Sequence, residues 1–139
     1  MKKILYILIS AIAVFTGCEI DPKLSSPAQK LCGEWELTFP EDIQLYVSFS
    51  SDMTFAEYQN FKNDGYELRR GTWQVQGSVL SGKYNDGEPW TASYKISFEG
   101  ENMTMTSQNE GMEVNVYQKC VIPEPVKENS TTVVMSGAL

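Results

Sequence analysis

The chain has 139 residues, 42% of them hydrophobic and 12% aromatic, and carries a formal net charge of −7. That length suits one domain, and the acidic balance excludes nucleic acid and anionic lipid headgroups as electrostatic partners, since both select clusters of Lys and Arg. Histidine is absent, which removes Ser-His-Asp and Cys-His nucleophiles and any histidine-held metal.

Met1-Lys2-Lys3 precedes an uncharged run from Ile4 to Phe15, the layout of a secretory n-region and h-region. A membrane span needs about 20 apolar residues, and this run is well short of that. Phe15-Thr16-Gly17-Cys18 resembles the bacterial lipobox, with Phe15 standing where Leu is usual. The resemblance implies a signal peptide over 1–17, cleavage before Cys18, and acyl chains on the thiol and new amino group of Cys18. Two or more chains hold a membrane stably, at about 0.8 kcal/mol per buried methylene. An outer-membrane lipoprotein is therefore expected, at the cell surface or on the periplasmic face. Glu19 and Asp21 form a partial version of the acidic surface-export signal of lipoproteins in Gram-negative gut anaerobes. Cleavage removes two lysines and no acid, taking the net charge to −9. Residues 18–30, rich in Pro and Ser, read as a lipidated, extended tether.

Cys32 and Cys120 remain after Cys18. No CxxC spacing points to a metal, and no cofactor is expected. In an exported chain two such cysteines are expected to pair as a disulfide closing nearly the whole structured region; the alternative is two separate buried thiols.

From Gly33 onward the chain is punctuated by turn signals at Pro40-Glu41-Asp42, Ser51-Asp52, Asn63-Asp64-Gly65, Gln76-Gly77, Asn85-Asp86-Gly87, Glu99-Gly100-Glu101 and Asn109-Glu110-Gly111. They divide it into eight strand-length segments, the spacing of an antiparallel sandwich or barrel. Period-two alternation is plain in Ile43-Leu45-Val47-Phe49 and in Trp90-Ala92-Tyr94-Ile96-Phe98, and recurs in Met103-Met105 and Met112-Val114-Val116. Tyr66-Leu68 and Trp73-Val75 fall on opposite faces by counting, and a bulge near Gly71 is expected to bring them to one side. The basic pair Arg69-Arg70 is split between the two faces.

Gly33-Glu34-Trp35 opens the first strand, and Gly71-Thr72-Trp73 and the segment 94–105 follow in an eight-strand meander. Over 31–121 the chain resembles the lipocalin-like (calycin) lipoproteins of Gram-negative gut bacteria, which implies an all-β, eight-stranded antiparallel up-and-down barrel with the Trp35 ring across its floor. A Thr-Asp-Tyr turn, a late Arg over that Trp and a C-terminal helix, usual in the family, are not evident. The expected inward set is Trp35, Leu45, Val47, Phe49, Phe55, Trp73, Trp90, Tyr94, Ile96, Met103, Met105, Val114 and Val116.

A barrel of eight short strands holds side chains or one small guest. A small apolar ligand is the first expectation, with Phe49, Phe55, Trp73, Trp90, Tyr94 and Met103 as contacts. The second is a surface protein-interaction or inhibitor module with a filled core, presenting Tyr46, Tyr58 and Tyr117 outward. Catalysis is not expected: the nearby acid pairs Asp86/Glu88 and Glu99/Glu101 lie at turn tips. Pro123 and Pro125 stop the last strand, and 122–139 is expected as a flexible tail, with an edge strand over Thr131–Met135 or a plug over the barrel mouth as the lesser reading.

Overall fold

The computed structural model describes residues 24–60 and 64–139. The signal-peptide segment, Cys18 and most of the expected tether lie outside the described residues. The rest of the tether differs from expectation, because Ser26–Leu31 forms a helix (α1). Ser25 caps it by accepting the Ala28 N–H at 3.4 Å, proline occupies its first turn, and Ala28 and Leu31 are buried.

Eight strands follow: β1 (Gly33–Phe39), β2 (Gln44–Phe49), β3 (Thr54–Asn60), β4 (Tyr66–Gln76), β5 (Val79–Tyr84), β6 (Tyr94–Glu99), β7 (Asn102–Ser107) and β8 (Val114–Lys119). Each is antiparallel to its sequence neighbours, and β8 pairs back on β1, so the sheet closes into a barrel. The strands fall between the turns the sequence predicts. The seam between β5 and β6 is the thinnest, with only Val79–Lys95 and Leu80–Tyr94 in register. Residues 90–93, expected as strand, are irregular there, although Trp90 is still buried.

Helix α1 stands at the closed end. The Trp35 indole N–H donates to the Leu31 carbonyl at 2.8 Å. Lys119 places its Nζ 4.7 Å from the Trp35 ring centroid and donates to the Cys32 carbonyl at 2.9 Å, so a lysine stands where an arginine was looked for. Gly33 has φ +133, and a Cβ there would run into the Lys119 side chain. Glycine at this position is therefore tied to the lysine packing over the tryptophan two residues on.

The Cys32–Cys120 disulfide is not formed. Cys32 belongs to the interior core, while Cys120 packs on the outer side of the wall near Tyr46 and Tyr66. Burial, Glu36 and Glu34 push the Cys120 thiol up to about 11, which disfavours the reactive thiolate.

No bulge occurs at Gly71: β4 runs in unbroken register against both β3 and β5. Tyr66 and Leu68 instead face outward, into a second core. That core is covered by residues 122–129, expected to be loose. Glu124–Asn129 forms a helix (α2), and Ile122 and Val126 pack on Tyr58 and Leu68. Glu34 fastens this segment, accepting the Ile122 N–H at 2.9 Å and pairing with Lys127 at 2.7 Å. Thr131–Thr132 (β9) then pairs parallel with β4 at Glu67 and Leu68, and the chain turns inward to end at Leu139, 2% exposed in the main core.

The face assignment of β8 is also reversed. Tyr117 lies opposite Met103 and Asn115 opposite Met105, so Tyr117 points inward and is 1% exposed, while Val114 is 41% exposed. Val116 shares the face of Val114, because its neighbours across the sheet are the outward Thr104 and Thr106. With Tyr117 inside and Tyr58 beneath α2, the expected outward tyrosine patch is not formed; only Tyr46 remains, half-buried beside Tyr66 at 5.9 Å between centroids.

Trp35→Ala is expected to lower unfolding free energy by about 3–5 kcal/mol in urea denaturation, and Phe39→Ala, on the same strand but largely exposed, to change it by less than about 0.5 kcal/mol.

Candidate functional site

The six residues expected to touch a ligand all lie in the interior core. Five form a chain of ring contacts. Trp73 meets Phe49 edge-on at 5.9 Å, and Phe49 meets Phe55 at 6.5 Å. Phe55 meets Trp90 at 5.2 Å, and Trp90 meets Tyr94 at 6.2 Å. Met103 is fully buried at a separate point. Space for these rings comes from inward glycines: a Cβ on Gly82 would strike the Trp90 indole, and one on Gly71 the Phe55 ring and the Lys83 carbonyl. The lower barrel is thus a ring-filled core.

The upper interior is different. Alternation along β3 from Phe55 brings Glu57 and Gln59 inward, and Arg69 lies directly across from Glu57 on β4. Glu57 is 0% exposed, Gln59 7% and Arg69 6%; Arg70, its neighbour, is exposed. Tyr84 from β5, Tyr94 from β6 and Tyr117 from β8 complete the band, and the Glu57 charge is near enough to raise the pKa of all three beyond what burial does. The Arg69 guanidinium also pairs with Glu67 at 2.8 Å.

The last residues of the chain sit on this band. The Arg69 Nε–H donates to the Met135 carbonyl at 3.1 Å. Glu57 Oε1 accepts the Ala138 N–H at 3.1 Å. The Tyr84 hydroxyl accepts the Leu139 N–H at 2.8 Å and donates to the Leu139 carbonyl at 3.3 Å. That carbonyl also takes the Thr91 N–H at 3.3 Å, so the tail helps close the thin β5–β6 seam.

Above and beside the tail opens a cleft of about 410 Å³, walled by Leu37, Pro40, Ile43, Leu45, Val114 and Tyr117, with Ala138 and Leu139 forming part of its lining. Its size lies within the range of small-molecule sites, about 300–1,000 Å³. None of the six expected ligand residues borders it. Asp86/Glu88 and Glu99/Glu101 are on exposed turns, and Asp86 is engaged in turn geometry, accepting the Glu88 N–H at 2.9 Å. Among the described residues no His/Cys/Asp/Glu group is arranged to hold a metal.

Sequence reasoning missed Glu57, Gln59, Arg69, Tyr84 and Leu139. The signal for the first two was available: counting by twos from Phe55 lands on them. Leu139 carried no signal, because one aliphatic residue after a polar stretch has no period.

Burial pushes the Glu57 carboxyl from 4.5 up to about 7, although Arg69, the N–H groups of Ala138 and Leu139 and the Tyr84 hydroxyl pull it down. An acid whose pKa is higher folded than unfolded binds its proton more tightly in the folded state. Its stabilising contribution is therefore full below pH 4.5 and is lost as pH rises to about 7. Unfolding free energy measured by urea titration is expected to drop by about 3 kcal/mol across that window on account of this group, and Glu57→Gln is expected to flatten the drop.

Comparison with known proteins agrees with the architecture. A family model described as a lipocalin-like domain matches residues 31–105, more than half of the chain. No curated protein matches the sequence significantly.

Proposed function

From the premise that this chain belongs to the lipocalin-like domain family, we propose that it is a small-ligand-binding barrel whose guest enters the mouth cleft rather than the ring-filled lower core. The observation that carries this reading is the cleft itself, about 410 Å³ with Leu37, Ile43, Leu45 and Val114 on its walls and the Tyr117 ring beside them. Aliphatic walls favour a guest that buries apolar surface, at roughly 25 cal/mol per Å², while Glu113 and Asn115 at the rim supply polar contacts that orient it. Trp73, Trp90 and their ring partners form the packed core beneath the cleft.

The reading extends to placement. Cys18 serves as the lipid attachment point of an outer-membrane lipoprotein, supported by the lysine n-region, the short apolar run and the lipobox-like sequence before it. Only 19–25 then separates the acyl chains from α1, which holds the barrel close to the bilayer. Export with Cys18 acylated is expected to incorporate an alkyne fatty acid during growth, and Cys18→Ala to lose that label; a label that survives in the variant contradicts the anchor.

Asn115→Trp tests the cleft. Asn115 lines it and faces inward, opposite the buried Met105, so a larger ring there fills the space. Titration with the apolar fluorophore N-phenyl-1-naphthylamine is expected to give saturable binding to the native protein and at least about tenfold weaker binding to the variant, a loss of about 1.4 kcal/mol. Equal binding by both would place the guest elsewhere.

A further inference from the structure

The contacts between the upper interior and residues 135–139 have an unusual character. Arg69, Glu57 and Tyr84, from three consecutive strands, engage main-chain atoms of the tail: the Met135 carbonyl, the Ala138 N–H, and both the N–H and carbonyl of Leu139. They read a peptide backbone. Side-chain selection is confined to two points. Gly137 lies so close to Glu57 and Arg69 that a Cβ would run into the Glu57 Oε2 and the Arg69 Cδ. Leu139 fills an apolar socket in the core at 2% exposure. The other residues of the segment contribute little burial: Val134 is 70% and Met135 66% exposed, Ser136 and Ala138 are exposed as well, and the preceding strand β9 is two residues long.

We propose that the upper interior is a peptide-binding site, specific for an extended segment with glycine two residues before a buried aliphatic side chain, and that residues 135–139 occupy it as an internal stand-in for such a peptide. Two features support this beyond the hydrogen bonds. First, Glu57 and Arg69 face each other inside the barrel, where buried charge needs hydrogen-bonding partners, and beside each other's charge and the Glu67 ion pair both engage backbone groups of the tail. Glu57 Oε2 is fully buried and makes no well-formed hydrogen bond among the described residues, so the site has hydrogen-bonding capacity that the tail leaves unused. Second, residues 135–139 are held by one leucine and a few main-chain bonds, so they can leave with the pairings among β1–β8 intact. A tethered occupant has an effective concentration on the order of millimolar, which sets the threshold an outside peptide must overcome. This site adjoins the mouth cleft, which Ala138 and Leu139 help to line, but its test is distinct from that of the apolar guest: its probe is a peptide, and it stands or falls on backbone recognition.

The test uses the full chain and a synthetic peptide of residues 133–139, Val-Val-Met-Ser-Gly-Ala-Leu, acetylated at its N-terminus, with calorimetric titration as the readout. Gly137→Val in the protein unseats its own tail. The variant is expected to bind the peptide at least about tenfold more tightly than the native protein does, and to refuse a peptide carrying valine in place of its glycine. Ala138→Pro, which removes the N–H that Glu57 accepts, is expected to open the site in the same way. Native protein taking the peptide as well as the variants do, folded variants refusing it, or the valine peptide binding equally would each overturn the proposal. So would failure of both variants to fold, since the tail would then be a fixed part of the core.

Discussion

Eight strands closed on one another leave an interior no wider than the side chains that point into it, and every inward position in this protein answers to that limit. Where β3, β4 and β5 bring Phe55, Trp73 and Tyr84 to the axis, the strands beside them carry glycine at 71 and 82, because no volume remains for another side chain. Toward the mouth, β3 and β4 carry Glu57, Gln59 and Arg69 inward, and residues 135–139 pack against them. Ligand space is what is left over: a cleft at the rim between the β1–β2 turn, β8 and the tail.

The floor follows from the same limit. Trp35 is too large to be buried without a partner for its indole N–H, and the chain supplies one from immediately upstream, in the Leu31 carbonyl of α1. Lys119 then covers the ring from the opposite strand and ties the Cys32 carbonyl. The first turn of structure and the last barrel strand are thereby joined at one point. The outer helix α2 does the equivalent outside, covering Tyr58 and Leu68 and meeting β1 through Glu34 and Lys127.

Much of this was legible in the sequence. Turn residues delimited all eight strands, and the Gly33-Glu34-Trp35 motif located the floor. What was not legible came from treating apolar character as the mark of inwardness. Val114 and Val116 are β-branched and suit a solvated strand face as well as a core, whereas Tyr117, across from the buried Met103, is the ring that β8 sends inward. Tyr66 and Leu68 looked out of phase with Trp73 because a second apolar layer, under α2, was not anticipated; the strand had no need of a bulge. Glu57 and Arg69 were passed over as charged, although their spacing from Phe55 and from each other across the hairpin put them inside. The disulfide expectation failed for a related reason: neighbouring strands brought the two cysteines to one end of the barrel wall but to its opposite sides.

The tail gives the interior its character, since it is at once part of the core through Leu139 and a ligand of the polar band through its backbone. Amide hydrogen exchange on the intact protein, read residue by residue, measures that seating directly. The Leu139 N–H, donated to Tyr84 at 2.8 Å, is expected to exchange at least about a hundredfold more slowly than the same amide in a free peptide, in keeping with opening against a net free energy of a few kcal/mol. Exchange of that amide at the free-peptide rate would show the barrel mouth to be empty of its own chain and would contradict the account.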